Sequence, residues 1–242
     1  MDKSDNSRMV NQYALGDEII RKLKSSLRVS EEEFAAFYIA KHTRDPFKVL
    51  VVTILSQNTA EKNTFRAFYR LEEKVGVSPE NILNVDIKEI EDAIKPAGLY
   101  RGKARAIRLL AEVVQNELGG NLSKLLEKGV KEVRETLGKI PGIGEKTIDV
   151  LLVNWGYPVI PIDTHIRRVS LRLGLTSRSN YRSIREALHR IFREEVRADA
   201  HLYLIKLGRT FCKPKKPLCD RCPLKEYCKY RFQSRSVVNF IG

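Results

Sequence analysis

Long apolar runs are missing from this sequence. The longest, Val49 to Leu55, is broken by Thr53 and falls far short of the ~20 residues that a membrane span needs. Residues 1–15 are polar and lack the apolar centre of a secretory signal, so an intracellular protein is expected. Strict apolar/polar alternation over strand length is also missing, and Pro158 and Pro161 interrupt the one β-branched run, which excludes a central strand there. Acidic residues are in deficit: 30 Asp and Glu against 44 Lys and Arg leave a net charge of +14. That balance favours a polyanionic partner, nucleic acid before a membrane surface, with a solvated basic face as the plainer reading. Cysteine is confined to four positions between 212 and 228. In a reducing compartment such a cluster reads as metal ligands before disulfides. Neither a solenoid-type repeat nor a low-complexity stretch occurs.

What is present is helical periodicity, and 242 residues can bury a large core. Residues 1–15 are short on pattern and are expected to form a loosely ordered tail. From Gly16 onward Ile19, Ile20, Leu23 and Leu27 share one helical face. Ser30-Glu31-Glu32-Glu33 carries a capping-box signature for a helix bearing Phe34, Phe37 and Tyr38. Asp45-Pro46 is an N-cap followed by a first-turn proline. The helix it opens, Phe47 to Gln57, is apolar nearly all round and belongs at a domain centre. Shorter helices follow at about 60–75, 79–84 and 87–95. The Gly98–Lys103 loop opens a long helix to about Leu118, with Ala104, Ile107, Ala111, Val114 and Leu118 on its buried side. Segments at Leu122–Leu126 and Val130–Gly138 come next, and after Asp163 helices at about 164–174, 181–195 and 198–211. The fold class is all-α.

The densest chemistry lies between Lys139 and Arg168. Pro141, Gly142 and Gly144 form a tight turn between two helices, since glycine tolerates backbone angles that other residues avoid. The free N–H groups at the start of the second helix make a phosphate site. Gly142, Ile143 and Gly144, with Lys146 and Thr147, are therefore candidate DNA-backbone contacts. Lys146 lies in the first helical turn, and Asp163 follows 17 residues later (163 − 146) after a proline-rich loop. A helix N-terminus amid other cations disfavours the ammonium form and can yield a nucleophilic amine. A nearby carboxylate could take its proton or stabilise positive charge developing on a sugar ring, as at C1′ of a deoxyribose losing its base. The plainer readings are a phosphate-binding lysine and a helix-capping aspartate. The four cysteines run Cys212-x6-Cys219-x2-Cys222-x5-Cys228. On spacing alone, tetrahedral zinc and an iron–sulfur cluster both remain open.

The run from Ile140 to Thr147 and the later Val159-Ile-Pro-Ile-Asp-Thr-His-Ile166 resemble the helix-hairpin-helix, Gly/Pro-rich loop and aspartate of the endonuclease III superfamily of DNA glycosylases. Asp45-Pro46-Phe47, Leu55-Ser56, Gly98-Leu99-Tyr100, His201 to Cys212 and the cysteines extend the resemblance over roughly residues 16–230. It implies a helix-hairpin-helix DNA glycosylase fold with two helical domains flanking a DNA-binding cleft. One is a central domain, residues 43–156. The other, residues 16–42 with 157–242, holds the cysteine loop. The resemblance implies Lys146 as nucleophile, Asp163 as the essential aspartate, and Cys212, Cys219, Cys222 and Cys228 as ligands of a [4Fe–4S] cluster. That cluster would brace a loop whose Lys213, Lys215 and Lys216 contact phosphates. The expected partner is double-stranded DNA with damaged bases or abasic (AP) sites, bound by a monomer in the cytoplasm, at the nucleoid.

A base inside a duplex must be flipped out to expose its sugar, and a polar side chain should fill the gap. The family usually places Gln two residues after the Ser matching Ser56. Here Gln57 and Asn58 follow it, leaving open which amide fills the gap. His165 and His201 are expected to be structural. The activity implied is removal of a damaged pyrimidine, expected to be an oxidised one, through a Schiff base, then cleavage of the AP site by β-elimination. A monofunctional uracil or mismatch glycosylase and a non-catalytic DNA-binding module are the rivals. Relatives of the first kind usually lack the lysine, and the 14 residues after Cys228 (242 − 228) leave no room for the extra domain of adenine-specific ones.

Overall fold

The computed structural model describes the backbone of residues 3–232 and the side chains of residues 12–232. Thirteen α-helices follow one another among the described residues, with no strand between them. They are α1 (Lys3–Ser26), α2 (Ala35–Thr43), α3 (Pro46–Ser56), α4 (Glu61–Lys74), α5 (Pro79–Asn84), α6 (Ile87–Ile94) and α7 (Tyr100–Leu118). Then come α8 (Ser123–Glu127), α9 (Val130–Leu137), α10 (Glu145–Asn154), α11 (Thr164–Leu173), α12 (Tyr181–Ile191) and α13 (Arg197–Thr210). The chain divides into two compact units: residues 30–157, and residues 1–29 with 158–242. Residues 30–42 thus fall with the central unit, because α2 packs on α3 and α10. Residues 233–242 of the expected second domain lie outside the described residues.

In the unit 30–157, α3 is the centre. Asp45 Oδ1 accepts from the Phe47 and Lys48 N–H groups at 2.8 and 3.3 Å, and Pro46 sets the first turn. Every side chain from Val49 to Leu55 is buried, and the Thr53 hydroxyl returns its hydrogen bond to the Val49 carbonyl at 2.6 Å. A helix apolar on all sides needs neighbours on all sides, and α2, α4, α7 and α10 supply them. Ser30 does not cap α2. Its hydroxyl goes to Glu32 in a short 3-10 turn, Glu31–Glu33, and α2 starts after Phe34.

In the other unit, α1 packs on α12 and α13, and α11 on α13. A Cβ added at Gly16 would lie 2.0 Å from the Ile191 carbonyl oxygen, so the smallest residue lets α1 approach α12. Helix α1 begins at Lys3, in place of the loose tail expected over residues 1–15, of which residues 1 and 2 lie outside the described residues. Burial of Ile19, Ile20 and Leu23 nucleates the helix, and each further residue adds a hydrogen bond at little entropic cost.

Candidate functional site

Within the unit 30–157, α9 and α10 form a helix-hairpin-helix. Ile140 and Ile143 are buried and anchor the turn, while Pro141, Gly142 and Gly144 stay exposed. Gly142 has φ +92°, and a Cβ there would stand 2.9 Å from Ala106 Cβ. Both facts require glycine. Gly144 is the N-cap of α10 and has no side chain to satisfy the first-turn N–H groups. Backbone donors at an exposed helix start therefore face outward, as an anion site needs. Lys146 is half-buried in this first turn, next to buried Thr147. Behind the hairpin, Asp149, fully buried, is paired with Arg134 of α9 and joins the two helices.

Two further short segments belong to the same unit. At the end of α3, Gln57 Nε2 donates to the Gly142 carbonyl at 3.0 Å and lies 3.4 Å from Thr147 Oγ1. Its amide is thus used in holding the hairpin. Asn58 is exposed, with φ +53°. The second segment is the turn before α7, where Leu99 has φ +48° and 69% of its surface exposed. A leucine so strained and so bare is unusual.

Asp163 belongs to the other unit, at the N-cap of α11, and its Oδ1 accepts from the Ile166 N–H at 2.7 Å. The proline-rich loop that delivers it is held at each step. His189 Nε2 accepts from the Ile160 N–H at 3.1 Å, and Tyr181 Oη from the Ile162 N–H at 3.3 Å. His201 Nδ1 lies 3.1 Å from the Pro161 carbonyl, and Arg197 Nη1 donates to the Pro158 carbonyl at 2.7 Å. His201 is thereby structural. His165 packs on Gly208, where a Cβ would lie 2.8 Å from His165 Cβ, and burial lowers its pKa against the pull of Asp163.

None of the four cysteines is in a disulfide, and all four line one cavity, with Val169, Leu173, Leu207 and Phe211 as its apolar wall. Burial pushes the Cys222 thiol up to about 11, and the charges of Cys212, Cys228 and Cys219 add to the rise. Four such sulfurs ionise together only around a cationic centre. The donor set, with its apolar wall and the cations Arg172, Lys225 and Arg231 beside it, therefore fits an iron–sulfur cluster. Among the described residues, no group of three or more Cys, His, Asp or Glu is arranged to hold a single metal ion. Two arginines of α11, which sequence reading missed, fasten the loop. Arg168 Nε donates to the Cys212 carbonyl at 2.7 Å, and Arg172 donates to the Lys213 and Pro214 carbonyls at 2.7 and 3.0 Å. Lys213, Lys215 and Lys216 point out of it into solvent. No helix of the described residues is long and apolar enough to cross a membrane.

Residues 51–194 match the HhH-GPD superfamily of base excision DNA repair proteins. Residues 212–228, from the first cysteine to the last, match the iron–sulfur binding domain of endonuclease III. The chain is 41% identical over 219 residues to endonuclease III of Sulfolobus acidocaldarius, covering 89% of this chain and 96% of that one. With endonuclease III of Thermotoga maritima it shares 34% over 187 residues, 77% of this chain and 84% of the other. Among solved structures, a trapped endonuclease III–DNA covalent intermediate superimposes with a TM-score of 0.74 at 28% identity, over 97% of this chain and all of that one. The all-α fold is that of the helix-hairpin-helix DNA glycosylases, and the protein is a base excision repair glycosylase/AP lyase with a [4Fe–4S] cluster. It belongs to the endonuclease III family.

Proposed function

We propose that Lys146 and Asp163 are the catalytic pair, and that the substrate is duplex DNA carrying an oxidised pyrimidine. The observation that carries this reading is the placement of Lys146 in the first turn of α10, directly after an exposed Gly-rich hairpin that can hold a phosphate. The neutral amine attacks C1′ of the extruded nucleotide, and the electrons of the C1′–N bond leave with the base, which takes up a proton. Asp163 balances the positive charge that develops on the sugar and accepts the proton the amine sheds. Opening of the ring O4′–C1′ bond, with that proton passing on to O4′, gives the Schiff base. Loss of a C2′ proton then expels the 3′ phosphate, and strand cleavage is complete.

The other residues have binding roles. Backbone at Gly142, Ile143 and Gly144, with Thr147, fixes the phosphate, and Lys213, Lys215 and Lys216 contact the backbone elsewhere. Gln57 is engaged with the hairpin, so Asn58 is the amide that fills the gap left by the flipped nucleotide, and exposed Leu99 wedges into the stack. Cys212, Cys219, Cys222 and Cys228 hold the cluster, whose contribution is to keep the lysine loop in shape. Such an enzyme works where the DNA is, at the nucleoid, and as a monomer.

Lys146→Gln and Asp163→Asn test the pair. Asparagine is as good an N-cap as aspartate, so α11 keeps its start while the charge is lost. Both variants are expected to bind lesion-containing duplex as the parent does and to lose incision by about a hundredfold or more, the scale of a lost nucleophile or charge stabiliser. Unchanged incision in either variant removes that residue from the mechanism.

A further inference from the structure

Lys103 is a buried lysine that the reaction above does not use. It lies in the first turn of α7 and is 4% exposed. Its Nζ donates three hydrogen bonds: to the Leu55 carbonyl at 2.8 Å, to Thr59 Oγ1 at 2.7 Å and to the Ala97 carbonyl at 2.9 Å. An ammonium has three N–H donors and no acceptor, so the three oxygens match it fully. Leu55 lies in the last turn of α3, whose terminal carbonyls have no partner within the helix and mark the negative end of its dipole. Ala97 closes the 3-10 turn Lys95–Ala97. The Thr59 hydroxyl also donates to the Ala97 carbonyl at 2.5 Å, so the three acceptors form one connected knot.

The two segments tied by this knot are Ser56–Thr59, which presents Asn58, and Ala97–Leu99, which presents Leu99. Asn58 at φ +53° and Leu99 at φ +48° both hold left-handed backbone, which asparagine adopts readily and leucine only at a cost of roughly 1 kcal/mol or more. For leucine such an angle persists only where the surroundings over-determine it. We infer that Lys103 is a positioning residue that sets the two duplex-entering segments at a fixed spacing, so that Asn58 and Leu99 engage the base stack together. This rests on the roles given above to Asn58 and Leu99. The chemistry of Lys146 does not depend on it.

Two substrates separate positioning from general damage. A lesion in duplex DNA must be extruded, whereas an AP site in single-stranded DNA needs no extrusion and reports only Lys146. For Lys103→Met, single-turnover excision from the duplex is expected to fall about tenfold or more, while single-strand AP cleavage stays within about twofold. With 2-aminopurine opposite the lesion, the fluorescence rise that marks unstacking should shrink in the variant. Equal losses on both substrates, or an undiminished fluorescence rise, overturn the inference. If Lys103→Met does not fold, Thr59→Val removes one acceptor of the knot and should show the same asymmetry at smaller size, and symmetric behaviour there is equally fatal. Absence of single-strand AP cleavage by the parent protein would sink the lyase reading instead, so the two failures are distinct.

Discussion

Lys103 shows how a single side chain carries information that a sequence pattern hides. In the linear chain it closes a Gly-Leu-Tyr-Arg-Gly-Lys loop and looks like one more surface cation. Its partners Leu55 and Thr59 lie 48 and 44 residues away, beyond any local rule. Burial lowers its pKa from 10.5 to about 8, and the sign of the consequence is fixed. Below pH 8 the lysine is charged in both folded and unfolded chains, and the desolvation cost is fully present. Between about pH 8 and 10.5 the unfolded chain binds more protons than the folded one, so this cost is relieved and stability rises with pH. Urea unfolding across that window should show Lys103→Met lacking the rise, once the shared titration of other lysines is subtracted. Parallel curves for the two proteins would contradict it.

At the scale of elements, several boundaries were readable and several were not. Asp45-Pro46 announced α3 because cap and first-turn proline act within three residues of each other. The buried face of α7, from Ala104 to Leu118, followed from periodicity alone. Ser30 does not cap α2 because the 3-10 turn Glu31–Glu33 intervenes and α2 starts only after Phe34. The fastening of the cysteine loop by Arg168 and Arg172 was invisible for another reason. Arginines four apart on a helix usually face solvent, and only the fold brings Cys212 to them. The hairpin was the most legible element, since Gly142 and Gly144 report backbone demands directly. Gly142→Ala meets both a left-handed φ and the 2.9 Å approach to Ala106. It should cost about 1–3 kcal/mol of stability and weaken DNA binding, read by thermal unfolding and by titration with a fluorescent duplex. A variant as stable and as tight as the parent would refute the close-packed hairpin.

At the scale of the whole molecule, the fold class and the family were legible because glycines, a proline-rich loop and four cysteines each stand for a demand that few other residues meet. The roles proposed for Lys146 and Asp163 rest on resemblance, since a lysine at a helix start and an aspartate at an N-cap also occur for structural reasons alone. The two residues lie in different compact units. Borohydride reduction during turnover tests the role proposed for Lys146 most directly. With duplex DNA bearing an oxidised pyrimidine, the parent protein is expected to form a stable covalent adduct that peptide mapping assigns to Lys146, and Lys146→Gln to form none. An adduct on another residue, or incision without any adduct, would contradict the central claim.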